Sequence, residues 1–357
     1  MRCLPIAVPP AQHEIVTSYI ARLATLHGLD SDELWEQISV PRTHRLSGRN
    51  IVPDQLAALT GRPGELLAAA LVELRPQPDW PALRHTPQPG CPCCAARHPG
   101  GPVIQLLPHH HYVCTRHRRW IGPPDIEQRR PILDDLPDLV RAQHRHQRLV
   151  QRHGWLTTYG ALLTGFVLCT RTWIPGNTDN RCRTWEHRAR VLIPPGTEAT
   201  TFSPSRLFAA IYPEAVDIAA ILTSAEWRQV VSGSTHQQRY LAAEIGRRTG
   251  QPNYRPHQPP QPADDEPPAD PVAHWFQTGS GRLPIQPLAL FTDSRLRRPP
   301  SRVTATSRAM LRGHDNRTGW FARDRDPRHA LLSHQHLRPA LTNPPATTPI
   351  RTAHQPA

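Results

Sequence analysis

Cysteine and histidine are concentrated in residues 90–120, which hold four of the seven cysteines and five of the 21 histidines. Cys91 and Cys94 form a C-P-x-C pair, and Cys114 and His117 form a C-x-x-H pair. Thiolates and an imidazole at this spacing can close a tetrahedron around Zn²⁺. The sequence therefore predicts one zinc ion. Because the protein itself fills all four positions, we expect a structural site without an open position for water or substrate.

The same stretch contains other groups that could bind a metal. Cys93 could replace Cys94, although the resulting C-x-C pair is less usual in zinc knuckles. Further histidines could displace His117, although a histidine-rich loop is more often simply solvated: His98, His109, His110 and His111. Cys169 lies in an apolar segment and is expected to be a small core residue.

Catalytic motifs are missing from the sequence. It contains no H-x-E, no H-E-x-x-H helix and no G-x-S-x-G elbow. A G-x-x-x-x-G-K-[ST] phosphate loop is impossible because the chain has no lysine. We therefore expect the protein not to be an enzyme.

The composition points to a partly folded chain with an acidic partner. Its 357 residues include 42 prolines and 20 glycines, and the net charge of +13 favours DNA as a partner. The N-terminus does not resemble a signal peptide, and the longest apolar run, residues 155–169, is too short to span a membrane. We expect a cytoplasmic protein without a membrane segment, associated with the nucleoid when bound to DNA.

Helical periodicity dominates the chain, so we predict a mostly helical fold. Strand signals are limited to "HHYVC", residues 110–114, and to "ARVLIP" around Val191. In the first part of the chain, we predict a helix over residues 11–27 that Gly28 terminates, a helix over 32–38 with Asp30 as N-cap, and two helices over 52–74. A basic helix is then predicted to end at about His153, and an apolar helix follows it. The last predicted helices cover residues 205–231, divided at Pro213, and 236–248, and a short element is expected around Trp275.

The pair of helices over residues 52–74, with Gly61 ending the first and Pro63 opening the second, has the outline of a helix-turn-helix. Its second helix, however, carries no basic or amide side chain that could contact bases or phosphates. We therefore interpret the pair as a packed helical hairpin.

Four regions follow from these patterns. We predict an N-terminal helical domain over residues 1–80, a zinc-finger segment over 81–125, a second helical domain over 126–255, and a linker with a disordered basic tail over 256–357. Residues 281–357 contain 13 Arg and 4 Asp without Glu, a net charge of +9. Such a tail should stay disordered and attract phosphates.

The motifs of the N-terminal third resemble the TniQ family of transposition proteins. "LP" at Leu4 is followed by the acidic Glu14 and by "SYIARLA" at residues 18–24, where the family more often has tryptophan in place of tyrosine. "LAALTG" at residues 56–61 and the two metal-ligand pairs complete the likeness, which spans about residues 4–120. Many members carry another C-x-x-C after the C-x-x-H, whereas here no cysteine follows His117 until Cys169.

The resemblance implies a non-catalytic accessory factor that helps to select target DNA and recruits an AAA+ ATPase regulator and the transposase. The residues we expect to contact DNA are the arginines beside the second ligand pair and those of the tail: Arg116, Arg118, Arg119, Arg295, Arg297 and Arg298. Two other functions are compatible with the sequence. One is a protein-interaction scaffold without DNA binding of its own, and the other is a zinc-containing helix-turn-helix transcription regulator.

Overall fold

The computed structural model describes residues 3–41, 49–79, 82–84, 87–122, 131–170, 183–192, 204–251, 254–256 and 270–278. The described chain is mostly helical, as the periodicity predicts. The predicted disordered tail, including Arg295, Arg297 and Arg298, lies outside these residues. The division into regions 1–80, 81–125, 126–255 and 256–357 stays a prediction.

The helices follow one another along the chain, and a 3₁₀ turn at Val72–Leu74 follows the fourth. They are α1 Val16–His27, α2 Ser31–Gln37, α3 Pro53–Thr60, α4 Gly64–Ala70, α5 Pro92–Ala95, α6 Pro137–His153, α7 Trp155–Thr170, α8 Arg183–Leu192, α9 Pro204–Thr223, α10 Ala225–Val231, α11 Thr235–Thr249 and α12 Pro271–Thr278.

Short strands pair in three antiparallel two-stranded sheets within the described ranges. The predicted strand at residues 110–114 is confirmed in part, as β5. The pairs are β1 Ser39–Pro41 with β2 Arg49–Ile51, β3 Gln88–Pro89 with β4 Ile104–Gln105, and β5 Val113–Cys114 with β6 Arg119–Trp120.

Helix α1 starts later than the periodicity predicts, at Val16 rather than Ala11. The preceding chain instead runs beside β4, where the Ile15 N–H donates to the Ile104 carbonyl at 3.0 Å. Ile15 offers no capping side chain, and the Glu73 carboxylate accepts the Val16 N–H at 2.6 Å. A carboxylate at this end of the helix also interacts favourably with the helix dipole. Tertiary contacts therefore set the start of α1.

A buried ion pair connects α1 to the segment that carries the cysteines. The Arg22 guanidinium donates to both Glu14 carboxylate oxygens at 2.8 Å, and both side chains are at most 1% exposed. Arg22 also donates to the Pro99 carbonyl at 2.8 Å, and Ser18 Oγ accepts the Ile104 N–H at 3.0 Å. Bidentate geometry and these extra hydrogen bonds offset the cost of burying two charges. The pair thus fixes the position of residues 99–104 against α1.

The next helices follow the predicted signals. The Asp30 side chain caps α2 by accepting the N–H groups of Asp32 and Glu33, and Gly61 ends α3 with a left-handed φ of 64°. The apolar faces of α3 and α4 pack on α1 in the first core, where Leu56 and Leu67 are fully buried. This packing agrees with our interpretation of the pair as a helical hairpin.

A second and larger core is built from α6 to α12, with α7 and α9 packed side by side at its centre. The element predicted around Trp275 is α12, and its indole is 1% exposed. Cys169 is also a buried core residue, as expected. In the described chain no single helix is long and apolar enough to cross a membrane, whereas one bent pair, Phe208–Thr223 with Ala225–Val231 at 75°, meets those criteria of length and composition.

The prediction that Pro213 divides its helix is wrong, because α9 continues through this proline to Thr223. An internal proline removes one helical hydrogen bond, at a cost of about 3 kcal/mol. Packing after the proline compensates for this loss. A Cβ on Gly165 of α7 would lie 2.5 Å from the Ala215 carbonyl oxygen, so α9 rests directly on the α7 backbone there.

The strand predicted around Val191 is also wrong, because this stretch belongs to helix α8. Its core-facing residues, Trp185, Ala189 and Leu192, recur at helical spacing. Arg188, 2% exposed, donates to Asp138 of α6 at 2.6 Å and also pairs with Glu214 of α9. These ion pairs hold α8 against α6 and α9. The short apolar run on which the strand prediction was based gives no sign of such contacts.

We predict that Arg22→Ala destabilises the N-terminal region by about 3–5 kcal/mol, because it leaves the Glu14 carboxylate buried without its partner. Urea unfolding monitored by tryptophan fluorescence measures this loss. The control is Arg97→Ala, which removes an exposed arginine of the same region and should change stability by less than about 0.5 kcal/mol. Similar losses for both variants would contradict the role assigned to the ion pair.

Candidate metal centre

Four side chains from two separate turns converge on one point. The ligand atoms of Cys91, Cys94, Cys114 and His117 all lie within 4.8 Å of one another. His117 Nδ1 is 3.5 Å from Cys91 Sγ, 3.2 Å from Cys94 Sγ and 3.6 Å from Cys114 Sγ. Cys94 Sγ and Cys114 Sγ are 3.7 Å apart. This is the arrangement predicted from the spacing, and it could hold a metal ion.

The first ligand pair lies at the start of the short helix α5. Cys91 is its N-cap residue, Pro92 occupies the first turn, and the Ala95 N–H donates to the Cys91 carbonyl at 2.9 Å. The Gln105 side chain of β4 packs directly over Gly90, because a Cβ there would lie 1.7 Å from Gln105 Oε1. The local sequence G-C-P-x-C thus directs both thiols of the pair to the same side.

The second pair lies on the hairpin of β5 and β6. The register pairs Cys114 with Arg119, and residues 115–118 form the connecting turn. Arg118 closes this turn with a φ of 46°, a left-handed conformation that non-glycine residues rarely adopt. The tight turn brings His117 back over Cys114.

The thiols of the group interact strongly with one another. The pKa of the Cys91 thiol is raised to about 12, first by its hydrogen bond to Cys114 and then by burial. Burial raises the pKa of Cys94, whereas the hydrogen bond from Cys91 lowers that of Cys114. Three negative sulfurs at this separation require a positive charge among them. A metal ion would supply it, and its binding would release protons.

Backbone N–H groups add to this preference for a cation-bound site. The N–H groups of Cys93 and Cys94 favour the thiolate of Cys91, and the N–H of His117 favours that of Cys114. Such outer contacts orient metal ligands and hold them in their charged form.

The alternative ligands lie elsewhere. Cys93 is half-buried on α5 and is not in the convergent group. His98 Nδ1 lies 3.3 Å from the Pro9 carbonyl, and the His109 ring stacks on Tyr159 with centroids 4.6 Å apart. His110 packs edge-on against His146 at 6.4 Å, and His111 is likewise outside the group. Within the described residues, the group of four is the one cluster that could hold a metal ion.

The arginines beside the second pair are in different environments. Arg116 is exposed, and Arg118, 59% exposed, lies 4.0 Å from Asp134. Arg119 is half-buried in β6 and forms a bridge with Ile132. Arg116 and Arg118 are therefore available to solvent, whereas Arg119 mainly belongs to the hairpin.

Two buried polar residues that support the site were missed in the sequence. Gln143 of α6 accepts the N–H groups of Tyr112 and Val113 at 2.9 Å each and donates to the His110 carbonyl at 2.8 Å. Arg84 donates to the carbonyls of Ile121 at 2.9 Å and of His111 at 2.6 Å. A glutamine in an amphipathic helix or an arginine in a loop carries no sequence signal for such a role.

These contacts connect the metal centre to the second core. Tyr212 of α9 donates to Gln143 Oε1 at 3.2 Å, and its hydroxyl lies 2.9 Å from His146 Nδ1. Burial, and to a lesser degree the charge of His110, lowers the pKa of His146 to about 3, so its ring is neutral at pH 7. Tyr112 and Trp120 from the hairpin belong to the same buried core. The hairpin therefore joins the N-terminal region to the helices that follow.

We predict that Cys91→Ser and Cys114→Ser each remove most of the bound metal and destabilise the protein by about 3 kcal/mol or more, because metal binding is coupled to folding. Elemental analysis and thermal unfolding measure the two effects. Cys93→Ser is the matched control on the same helix and should keep both the metal and the stability. Equal metal loss in all three variants would refute the ligand assignment.

Comparison with known proteins identifies the region that carries this site. Residues 5–120 match the family model TniQ, about a third of the 357-residue chain. Comparisons with curated proteins and with solved structures gave no significant match. The matched range ends at Trp120, the last residue of β6, and therefore contains α1 to α5 and all four converging ligands. Residues 5–120 thus carry a TniQ domain, and this match indicates a transposition-associated protein.

Proposed function

We propose that this protein is a non-catalytic accessory factor of a DNA transposition system, acting in target-site selection and in recruitment of the AAA+ ATPase regulator and the transposase. One observation carries the proposal: the residues of the TniQ match include four converging side chains that could hold a metal ion and would together fill a tetrahedral site. Such a domain offers a rigid surface to partners rather than a reactive group. The protein would act in the bacterial cytoplasm, at the nucleoid when bound to DNA.

The metal we propose is a single structural Zn²⁺. With Zn–S bonds of about 2.3 Å and Zn–N bonds of about 2.0 Å, a tetrahedral site separates neighbouring ligand atoms by about 3.5–3.8 Å. Four of the six separations among the three sulfurs and the imidazole nitrogen are 3.2–3.7 Å and lie close to this geometry, and all six are within 4.8 Å. Thiolate and imidazole ligands together also favour zinc over the hard cations Mg²⁺ and Ca²⁺. When bound, the ion would fix the turn at α5 against the β5–β6 hairpin.

Association with DNA is supported by charge. The net charge of +13 comes with a high arginine content, and arginine forms two-pronged hydrogen bonds with phosphate. Arg116 and Arg118 are exposed beside the metal centre. The tail at residues 281–357 would add the largest part of the non-specific, salt-dependent attraction.

A second candidate is a scaffold that contacts proteins alone and leaves DNA recognition to a partner. The observation that favours it is the composition of α4, Gly64–Ala70, which offers neither a basic nor an amide side chain. Leu66 on this helix is 59% exposed, as expected for a residue available to a protein partner.

We predict that the full-length, metal-loaded protein co-purifies with an AAA+ ATPase encoded beside it and retains duplex DNA at low salt. Affinity for DNA should fall by about tenfold or more between 50 and 200 mM salt because counterions are released on binding. Deletion of residues 281–357 should remove most of this binding. Retention of the ATPase should persist in Cys93→Ser and be lost in Cys114→Ser, which is measured by pull-down at equal protein concentration.

The outcomes separate the two candidates. Retention of the ATPase without measurable DNA affinity would favour the scaffold. Absence of both DNA binding and ATPase association in the metal-loaded wild type would rule out the proposed function.

A further inference from the structure

Helices α10 and α11 have the outline of a helix-turn-helix outside the TniQ match. Helix α10, Ala225–Val231, is joined to α11, Thr235–Thr249, by the three residues Ser232, Gly233 and Ser234. A short helix, a three-residue turn with glycine and a longer second helix characterise this motif. In DNA-binding proteins with this motif the second helix lies in the major groove.

The turn is held by specific contacts. The Ser234 hydroxyl and the Gln237 side chain form a capping box at the start of α11, and Gln238 Nε2 donates to the Val231 carbonyl at 2.9 Å. A Cβ on Gly233 would lie 2.0 Å from Gln237 Oε1, so a larger residue there would displace the cap. The turn is therefore tied to both helices by hydrogen bonds of their side chains.

The inner face of α11 packs on α9 and α10. Leu241 and Ile245 of α11 and Val231 of α10 are fully buried in the second core. Helices α9, α10 and α11 contact each other pairwise, which gives the three-helix support that a groove-reading helix requires.

The outer face of α11 is exposed and carries groups suited to DNA. The exposed residues of this face are His236, Arg239, Tyr240 and Ala243, with Arg247, which pairs with Glu244, at its end. Neither His236 nor Arg239 makes a hydrogen bond or ion pair with any described residue. Arginine binds guanine with two hydrogen bonds in the major groove, histidine and tyrosine bond phosphates or bases, and alanine contacts the thymine methyl group.

An exposed aromatic pair rigidifies this face. Tyr240 is 64% exposed, and its ring stacks on Trp227 of α10 with centroids 5.5 Å apart. The stacking restricts the orientation of the tyrosine ring, while most of the side chain stays exposed. An exposed large aromatic that is held in place is typical of a binding surface.

The surroundings of this face are basic. The pKa of His153, at the end of α6, is lowered by burial first and then by the charges of Arg152 and Arg228, so these three groups lie near one another beside α10. The acidic Glu244 is neutralised by Arg247 and Arg248, each at 2.7 Å. Arg152 and Arg228 therefore place positive charge beside α10, near the exposed acid Glu226, and this positive charge favours nearby phosphates.

We propose that residues 225–249 form a DNA-reading unit, with α11 entering the major groove and Arg239 and His236 contacting base edges. The proposal rests on the DNA association of the proposed function and adds sequence preference to it. Helix α4 offers none of these side chains, and α11 therefore supplies the reading surface that the N-terminal hairpin lacks.

The test uses the full-length protein and a pool of duplexes with a randomised central sequence. Wild type should enrich a preferred sequence in the presence of unrelated competitor DNA. Arg239→Ala and His236→Ala should each bind that sequence about tenfold or more weakly, because a good contact to a base is worth that factor in affinity. Affinity for an unrelated duplex, dominated by the tail, should change by less than about twofold.

Arg97→Ala is the matched control, since it removes an exposed arginine within the TniQ match and should leave sequence preference unchanged. The altered side chains are exposed, so all three variants should unfold at the wild-type temperature. No enrichment by wild type, or equal binding of the enriched sequence by Arg239→Ala, would overturn the assignment while ATPase association still supports the proposed function. If Arg239→Ala lost ATPase retention but kept its sequence preference, the exposed face of α11 would be a protein-docking surface. That result would also overturn the assignment of residues 225–249 as a DNA-reading unit.

Discussion

Convergence of three sulfurs and one imidazole nitrogen is the constraint on which the N-terminal third of this protein depends. Between α5 and α6 the described residues contain only short strands, and the buried apolar group around the site, with Leu107 and Ile121, is small. Apart from the side chains that it contributes to neighbouring cores, such as Tyr112 and Trp120, this segment has little apolar surface of its own to bury. A bound cation would supply the missing stability by joining the α5 turn to the β5–β6 hairpin.

Single polar side chains provide the remaining connections. Because residues 99–121 have little regular secondary structure, their backbone groups need partners from outside the segment. Arg22, Arg84 and Gln143 supply these partners from α1, from the loop before β3 and from α6. The metal segment is thereby fixed to the N-terminal helices on one side and to the second core on the other. The metal segment can therefore hold the N-terminal helices and the helices of the second core in a defined position relative to each other.

Features of the structure that depend on residues close together in the sequence could be predicted, whereas features that depend on contacts between distant segments could not. The four converging ligands, the Asp30 cap and the Gly28 and Gly61 helix ends follow from local rules, and each is where the sequence places it. The strand expected around Val191 and the break expected at Pro213 failed because contacts with distant helices decided both. Glu14 and Arg22 were noticed only as parts of a family pattern, since burial of an ion pair cannot be deduced from spacing.

Cobalt substitution tests the central claim most directly. Co²⁺ takes the coordination that the protein imposes, and its absorption spectrum distinguishes four-coordinate from higher-coordinate sites. The full-length protein should bind one equivalent in the metal centre and give the intense visible bands of a tetrahedral ion with thiolate charge transfer. A weak spectrum of a five- or six-coordinate ion with bound water, or no cobalt uptake at all, would contradict a metal centre closed by Cys91, Cys94, Cys114 and His117.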